Sequence, residues 1–194
     1  GNYYNGTIEM ATNIAWARGI VPLAGMFSES LGIPVALTND ANAAALGEMT
    51  YGVAKGMKNF IMITLGTGVG SGIVVNGQLV YGSDGFAGEL GHVIMVRENG
   101  RSCGCGRRGC LETYCSATGV ARTAREMLSN SNEPSLLREL DPEKITSLDI
   151  SIAAGKGDKM AHEIFEFTGN MLGQACADFA TFCSPEAFVF FGGL

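Results

Sequence analysis

The chain lacks the features that mark membrane, secreted and nucleic-acid-binding proteins. No apolar run approaches the roughly 20 residues of a membrane-spanning helix, and no secretory pattern opens the sequence. Charged residues make up only 16%, with a net charge of −6, and the one dense basic spot, Arg101, Arg107 and Arg108, is too small to displace counterions along a nucleic acid. We therefore expect a cytoplasmic globular protein with no membrane contact and no nucleic-acid contact through this region.

An initiator methionine is also missing from the 194 residues. The sequence starts at Gly1 and stops at Gly192-Gly193-Leu194, directly after the apolar run 187–191. A glycine pair behind a strand normally opens a turn into another element. We therefore expect this chain to be a fragment.

The hydrophobic periodicity alternates between strand and helix patterns, which indicates an α/β protein. Helical spacing covers residues 8–31 with a break at Pro22, and further helices are predicted at 41–49, 118–129, 145–154 and 159–182, the last capped by Asp158. Buried strands are predicted at 33–37, 60–65, 72–75 and 187–191. The dipeptide Asn76-Gly77 is a hairpin signal, because both residues tolerate positive φ, and it predicts an antiparallel meander over residues 60–81.

Four of the six cysteines crowd into residues 103–115. Three of them, Cys103, Cys105 and Cys110, combine with His92 into the donor set of a closed tetrahedral Cys₃His zinc site. The alternative is a group of reduced, partly buried thiols with no metal. We expect zinc, with Cys115 as a spectator and with Cys176 and Cys183 packing as small apolar residues.

A glycine-rich loop follows the predicted strand 60–65. Several backbone N–H groups of such a loop can point at an anion, and a threonine hydroxyl adds a donor. No Gly-Lys-Ser/Thr follows, and no helix follows, so the loop is neither a P-loop nor a dinucleotide-binding fingerprint. Glycine-rich turns also occur without any ligand, so both interpretations stay open for Gly66, Thr67, Gly68, Val69, Gly70, Ser71 and Gly72.

Acidic and amide side chains occur at two further places. Asn39-Asp40 ends a predicted strand, where a carboxylate can accept a hydroxyl proton as general base or can simply cap the following helix. Glu89, His92 and Glu112 lie in a loop-rich segment. They could line a sugar pocket, although single glutamates are usually solvated surface residues.

Taken together, these motifs resemble the ROK family of sugar kinases and related repressors. The resemblance rests on segments that run in order through nearly the whole chain: Asn39-Asp40-Ala41-Asn42, Gly66-Thr67-Gly68-Val69-Gly70, Ala87-Gly88-Glu89-Leu90-Gly91-His92, the cysteine block 103–112, and Gly192-Gly193. The cysteine block behind a Glu-x-Gly-His is its most specific part.

The resemblance implies an α/β, actin-like (RNase H-like) fold and the ATP-dependent phosphorylation of a hexose, most closely glucose. Asp40 would be the catalytic base, with Asn39, Glu89, His92, Glu112 and, more weakly, Asn13 as further sugar ligands. Residues 66–72 would bind the phosphates of ATP, Mg²⁺ would accompany ATP, and Gly192 and Gly193 would approach the adenosine. Zinc would hold His92 in place, and a homodimer is expected.

On the same resemblance, residues 1–37 are a remnant of an N-terminal lobe and hinge. Residues 38–194 are the C-terminal sugar- and ATP-binding lobe, with the zinc-binding loop at 89–112. The family's N-terminal phosphate loop and C-terminal helix are lacking, so the 194 residues alone should be inactive. The rival interpretation is the sugar-sensing lobe of a ROK-family transcriptional repressor, although the intact Asp40 and glycine loop favour the kinase.

Overall fold

The computed structural model describes residues 1–9, 16–17 and 19–194. Over these ranges the chain forms helices α1 (Leu23–Leu31), α2 (Asp40–Tyr51), α3 (Glu112–Cys115), α4 (Ala117–Asn130), α5 (Ser147–Gly155) and α6 (Lys159–Cys183). Its strands are β1 (Phe60–Leu65), β2 (Val69–Val75), β3 (Gln78–Leu79) and β4 (Ala187–Gly192). None of the helices in this described part is both long and apolar enough to cross a bilayer.

The four strands form one sheet in the order β3-β2-β1-β4. The predicted hairpin is confirmed: β2 and β3 pair antiparallel across Asn76 and Gly77, whose φ angles are 52° and 76°. Strand β2 begins at Val69 rather than at the predicted residue 72. The prediction was wrong here because Gly70 and Ser71 look like loop residues in sequence, whereas Ser71 is 3% exposed inside the strand.

The predicted strand at 33–37 is also wrong, since the structure assigns no strand to these described residues. Ile33 is 56% exposed, so this segment lacks the burial that its apolar sequence indicates. Helix α2 begins at Asp40, one residue before the prediction, and Asn39 is the cap that accepts a hydrogen bond from the Asn42 N–H at 2.7 Å. Asn39 rather than Asp40 is therefore the N-terminal cap of α2.

Two compact units make up the chain. The first comprises residues 1–62, 71–89 and 185–189, and the second comprises residues 63–70, 90–184 and 190–194. The core of the first unit is built from small and apolar side chains of α2, the turn after it and the sheet: Ala45, Ala54, Phe60, Met62, Val74 and Val189.

Helices α4, α5 and α6 enclose the core of the second unit, which includes Val120, Ile150 and Ile164. The long predicted helix is confirmed as α6, and the Asp158 carboxylate caps it by accepting the Ala161 N–H at 2.9 Å. Asp158 also accepts the Leu136 N–H at 2.5 Å. One buried carboxylate thus fixes both the start of α6 and the start of the 3₁₀ turn Leu136–Glu139.

Candidate functional site

The four predicted metal ligands lie together in the second unit. His92 ends a short 3₁₀ turn, Leu90–His92, and the three cysteines lie in the loop that precedes α3. Their donor atoms all lie within 4.8 Å of one another. A set of thiols and one imidazole at such spacing can hold a metal ion.

The distances in this cluster fit a tetrahedral ion. The Cys105 and Cys110 Sγ atoms lie 3.7 Å apart, and Cys103 Sγ lies 3.6 Å from His92 Nδ1. Around zinc, bonds of about 2.3 Å to sulfur and about 2.0 Å to nitrogen place neighbouring ligand atoms about 3.5 Å (sulfur to nitrogen) and about 3.8 Å (sulfur to sulfur) apart. The cluster therefore fits zinc without rearrangement of these two pairs.

Glycines shape the backbone of the metal-binding loop. Gly106 and Gly109 have φ angles of 85° and 80°, a region that side chains with a Cβ rarely occupy. An added Cβ at Gly109 would overlap the Val96 carbonyl oxygen. The loop closes through the Cys103 N–H, which donates to the Arg107 carbonyl at 2.9 Å.

The three thiols of the cluster differ in their ionisation. Burial raises the pKa of Cys110 to about 12, and burial also raises the pKa of Cys103. At Cys105 burial again acts upward, but hydrogen bonds from Arg107 and the neighbouring thiols outweigh it and lower the pKa to about 6. Cys105, which is exposed, is thus a ready thiolate ligand at neutral pH.

Arg101 anchors the metal-binding loop, and the sequence reasoning missed it. Its side chain is 7% exposed. The guanidinium donates to the carbonyl oxygens of Thr113 at 2.8 Å and Gly119 at 3.2 Å, to Thr123 Oγ1 at 2.9 Å and to Glu126 Oε2 at 2.5 Å. Its position two residues before the first cysteine was the available signal. This buried cation fastens the loop to α3 and α4.

The glycine loop is shorter than predicted, and the same helices hold it. The Ala117 N–H donates to the Gly66 carbonyl at 2.8 Å, and Thr118 Oγ1 donates to the Thr67 carbonyl at 3.0 Å. Gly66 and Thr67 are exposed. The loop therefore faces solvent while its carbonyls are tied to the start of α4.

Glu112 lies between the glycine loop and the cysteine cluster. Its Oε2 accepts the Val69 N–H at 3.1 Å, and its Oε1 lies 3.7 Å from Cys103 Sγ. Sequence spacing alone does not reveal this double contact, because Val69 and Glu112 are 43 residues apart.

Asn39 and Asp40 lie in the first unit, at the start of α2. Asn39 uses its side-chain oxygen as the helix cap, which leaves its NH₂ group as a donor. Asp40 is exposed, and one of its carboxylate oxygens accepts the Ala41 N–H at 2.9 Å. The Asp40 carboxylate is thus oriented by its own helix and remains accessible to a ligand.

The remaining predicted residues of the first unit differ in accessibility. Glu89 is exposed. Ser71 is buried, and its hydroxyl donates to the Gly88 carbonyl. Gly72 lies in β2, where an added Cβ would come within 2.9 Å of the Ala45 Cβ in α2. Ser71 and Gly72 therefore have packing roles in the strand, whether or not they also bind phosphate.

Gly192 and Gly193 lie in the second unit, at the end of β4. An added Cβ at Gly192 would overlap the Leu65 carbonyl oxygen, whereas Gly193 has open space around it. Gly192 thus permits close approach to β1. Asn13, the weakest predicted sugar ligand, lies outside the described residues.

Comparisons with known proteins agree with these motifs. The sequence model of the ROK family matches residues 2–194. The chain is 43% identical over 190 residues to a glucokinase of Halalkalibacterium halodurans, an alignment that covers 97% of this chain and 57% of the relative. The chain thus spans less than two thirds of the length of this relative.

Solved structures give the same result. A ROK family glucokinase from Streptomyces griseus, in complex with glucose and AMPPNP, superposes with a TM-score of 0.85 at 37% identity and covers 99% of this chain and 62% of that chain. A ROK family transcriptional regulator, a homologue of the E. coli Mlc protein, superposes with a TM-score of 0.85 at 30% identity, over 97% of this chain and 46% of that one. The predicted α/β, actin-like fold is confirmed, with a mixed four-stranded sheet flanked by helices.

Proposed function

Because the chain belongs to the ROK family, we propose that it is the sugar- and nucleotide-binding part of a hexose kinase, with glucose as the first candidate substrate. The observation that carries this proposal is the exposed Asp40 carboxylate, held at the start of α2 in a chain that is 43% identical to a glucokinase. The kinase activity belongs to the full-length protein that carries this chain. The 194 residues alone are expected to be inactive.

Asp40 acts as the general base in this proposal. Its carboxylate accepts the proton of the attacking sugar hydroxyl while that oxygen bonds to the γ-phosphorus and the bond to the bridging oxygen of ADP breaks. Phosphoryl transfer asks the protein mainly for positioning and charge stabilisation, and Mg²⁺ bound with ATP would supply part of that charge stabilisation. The hydrogen bond from the Ala41 N–H holds the carboxylate in one orientation for this step.

Four further described side chains serve as sugar ligands in this proposal. Asn39 offers its NH₂ group, because its oxygen caps α2. His92 offers Nε2, because Nδ1 faces Cys103. Glu89 and Glu112 accept hydrogen bonds from the sugar hydroxyls. Asn13 is proposed as a further sugar ligand.

Zinc bound by His92, Cys103, Cys105 and Cys110 has a structural role in this proposal. A ligated Nδ1 fixes the tautomer and the orientation of the His92 ring, so the ring presents Nε2 to the sugar. The distances of 3.6 Å and 3.7 Å between ligand atoms support the assignment.

The nucleotide site uses residues 66–72 for the phosphates, with Thr67 as a side-chain donor, and Gly192 and Gly193 for the adenosine. The accessibility of Gly66, Thr67 and Gly193 supports this assignment. Residues 1–37 as a remnant of an N-terminal lobe, residues 38–194 as the second lobe, a homodimer and a cytoplasmic location stay predictions.

A sugar-sensing lobe of a transcriptional repressor is the second candidate, because a ROK regulator superposes as well as the glucokinase does. The two candidates separate in one assay. The full-length protein, incubated with Mg²⁺-ATP and a panel of hexoses, should phosphorylate at least one of them, with ADP release as the readout. Sugar binding without ADP release, together with sequence-specific DNA binding, would favour the repressor.

A further inference from the structure

One carboxylate in the second unit contacts both of its conspicuous motifs. Glu112 Oε2 accepts the Val69 N–H at 3.1 Å at the end of the glycine loop. Its Oε1 lies 3.7 Å from Cys103 Sγ in the cysteine cluster. Glu112 itself begins α3, two residues after Cys110. The side chain therefore reaches from the metal-binding segment to the glycine loop.

The surroundings of Val69 leave this arrangement little freedom. An added Cβ at Gly68 would overlap Glu112 Oε2, and an added Cβ at Gly91 would overlap the Val69 carbonyl oxygen. Val69 is 5% exposed. Glycine at position 68 leaves room for the Glu112 carboxylate. Glycine at position 91 lets the 90–92 turn approach the Val69 carbonyl.

We propose that Glu112 is a positioning residue that joins the cysteine–histidine cluster to the glycine loop, so that the order of the loop depends on the state of the cluster. The geometry alone carries this role, which is separate from the sugar contact proposed above. Only its consequence for nucleotide binding rests on the proposed function. A charge-assisted hydrogen bond from a backbone N–H to a carboxylate is among the stronger contacts available to a loop, and Glu112 accepts one from the Val69 N–H.

Amide hydrogen exchange of the full-length protein, read on peptides that cover residues 66–72, tests the contact. Glu112→Ala should raise exchange at Val69 about tenfold, as expected for a lost hydrogen bond to a charged group. Glu112→Gln keeps an acceptor oxygen and should restore most of the protection. Peptides from α5 and α6 should not change in either variant, which separates a local effect from misfolding.

The two neighbouring glycines give a matched pair of variants. Gly68→Ala should displace the carboxylate and raise exchange at Val69, whereas Gly66→Ala should leave it unchanged, because an added Cβ at Gly66 meets nothing within 4 Å. Gly68→Ala in the Glu112→Ala background should add no further exchange. Equal effects of Gly66→Ala and Gly68→Ala, or additive effects of Gly68→Ala and Glu112→Ala, would overturn the role of Glu112.

The Cys105→Ser variant tests whether the order of the glycine loop depends on the cluster. The variant protein is dialysed against a chelator until elemental analysis finds no metal. Cys105 makes no described contact with Glu112. Metal loss should raise Val69 exchange up to about tenfold when Glu112 is present, because Glu112 follows the cluster residue Cys110 by two residues and loses that anchor. It should add nothing in Glu112→Ala. Unchanged Val69 exchange after metal loss, or an equal rise in both backgrounds, would refute the coupling.

A titration with Mg²⁺-AMPPNP, without sugar, separates this inference from the proposed function. If the loop binds phosphate, Glu112→Ala should weaken AMPPNP binding and Glu112→Gln should recover it. If exchange at Val69 follows the predictions while the wild-type protein does not bind AMPPNP, the coupling by Glu112 stands and the nucleotide site of the proposed function is rejected.

Discussion

Replacing Arg101 by alanine should destabilise the second unit far more than its sequence position beside an exposed loop would indicate. The side chain is 7% exposed, and the guanidinium carbon lies 4.5 Å from the centroid of the Tyr114 ring. Its removal would leave the carbonyl oxygens of Thr113 and Gly119 without these donors.

The size of the loss in the free energy of unfolding follows from how exposed the groups that contact Arg101 are. A hydrogen bond from a charged donor is worth about 1.5–3 kcal/mol, and a partly desolvated cation–π contact is worth about 1–2 kcal/mol. Glu126 is 45% exposed, so its carboxylate can recover water and its share is small. Since such contributions do not add fully, we expect a loss of about 3 kcal/mol in the free energy of unfolding.

Equilibrium urea unfolding, followed by far-ultraviolet circular dichroism, measures this loss. Arg122→Ala is the matched control: Arg122 pairs with the same Glu126 at 2.9 Å but is 42% exposed, so its loss should cost no more than about 0.5 kcal/mol. Arg101→Lys should recover less than half of the loss, because an ammonium group cannot reproduce the planar fork. Equal losses for Arg101→Ala and Arg122→Ala would refute the claim that burial makes Arg101 an anchor.

Three further predictions concern catalysis, helix capping and the metal. Asp40→Asn should lower kcat about 10²–10⁴-fold, the range for a general base, while hexose binding measured by calorimetry persists; near-normal turnover would remove Asp40 from that role. Hydrogen bonds to Asp158, led by the Ala161 and Leu136 N–H groups, outweigh burial and lower its pKa. The carboxylate therefore stabilises the fold above its unfolded pKa of about 3.9, and Asp158→Ala should cost about 1–2 kcal/mol at pH 7. That cost should shrink as the pH falls through the lowered pKa of Asp158, whereas a pH-independent cost would contradict the assignment. Elemental analysis should find about one zinc per chain, and Cys110→Ser should abolish it; a full zinc content in Cys110→Ser would remove Cys110 from the ligand set.

Local signals were sufficient for several elements. The Asn76-Gly77 hairpin and the Asp158 cap of α6 depend on residues that are neighbours in sequence, and both are confirmed. The four cluster residues could be predicted because three thiols and one imidazole at that spacing are typical of a structural zinc site. Their donor atoms do converge.

Contacts between distant residues were not predictable in this way. Val69 begins β2 and donates its N–H to Glu112, 43 residues later, so a strand start that looks like loop sequence contacts a remote carboxylate. The segment 33–37 shows the opposite error, because its apolar residues lack the burial that a strand pattern implies. Arg101 was read as part of a basic spot, because its position beside the first cysteine does not by itself reveal that the charge is buried among carbonyl acceptors.

A crystal structure of the full-length protein with bound glucose, recorded at the zinc absorption edge, is the most direct test of the account. We expect an anomalous peak between His92, Cys103, Cys105 and Cys110, with sulfur distances of about 2.3 Å, and a glucose hydroxyl within hydrogen-bonding distance of Asp40. An empty cluster, or a glucose molecule bound away from Asp40, would contradict it.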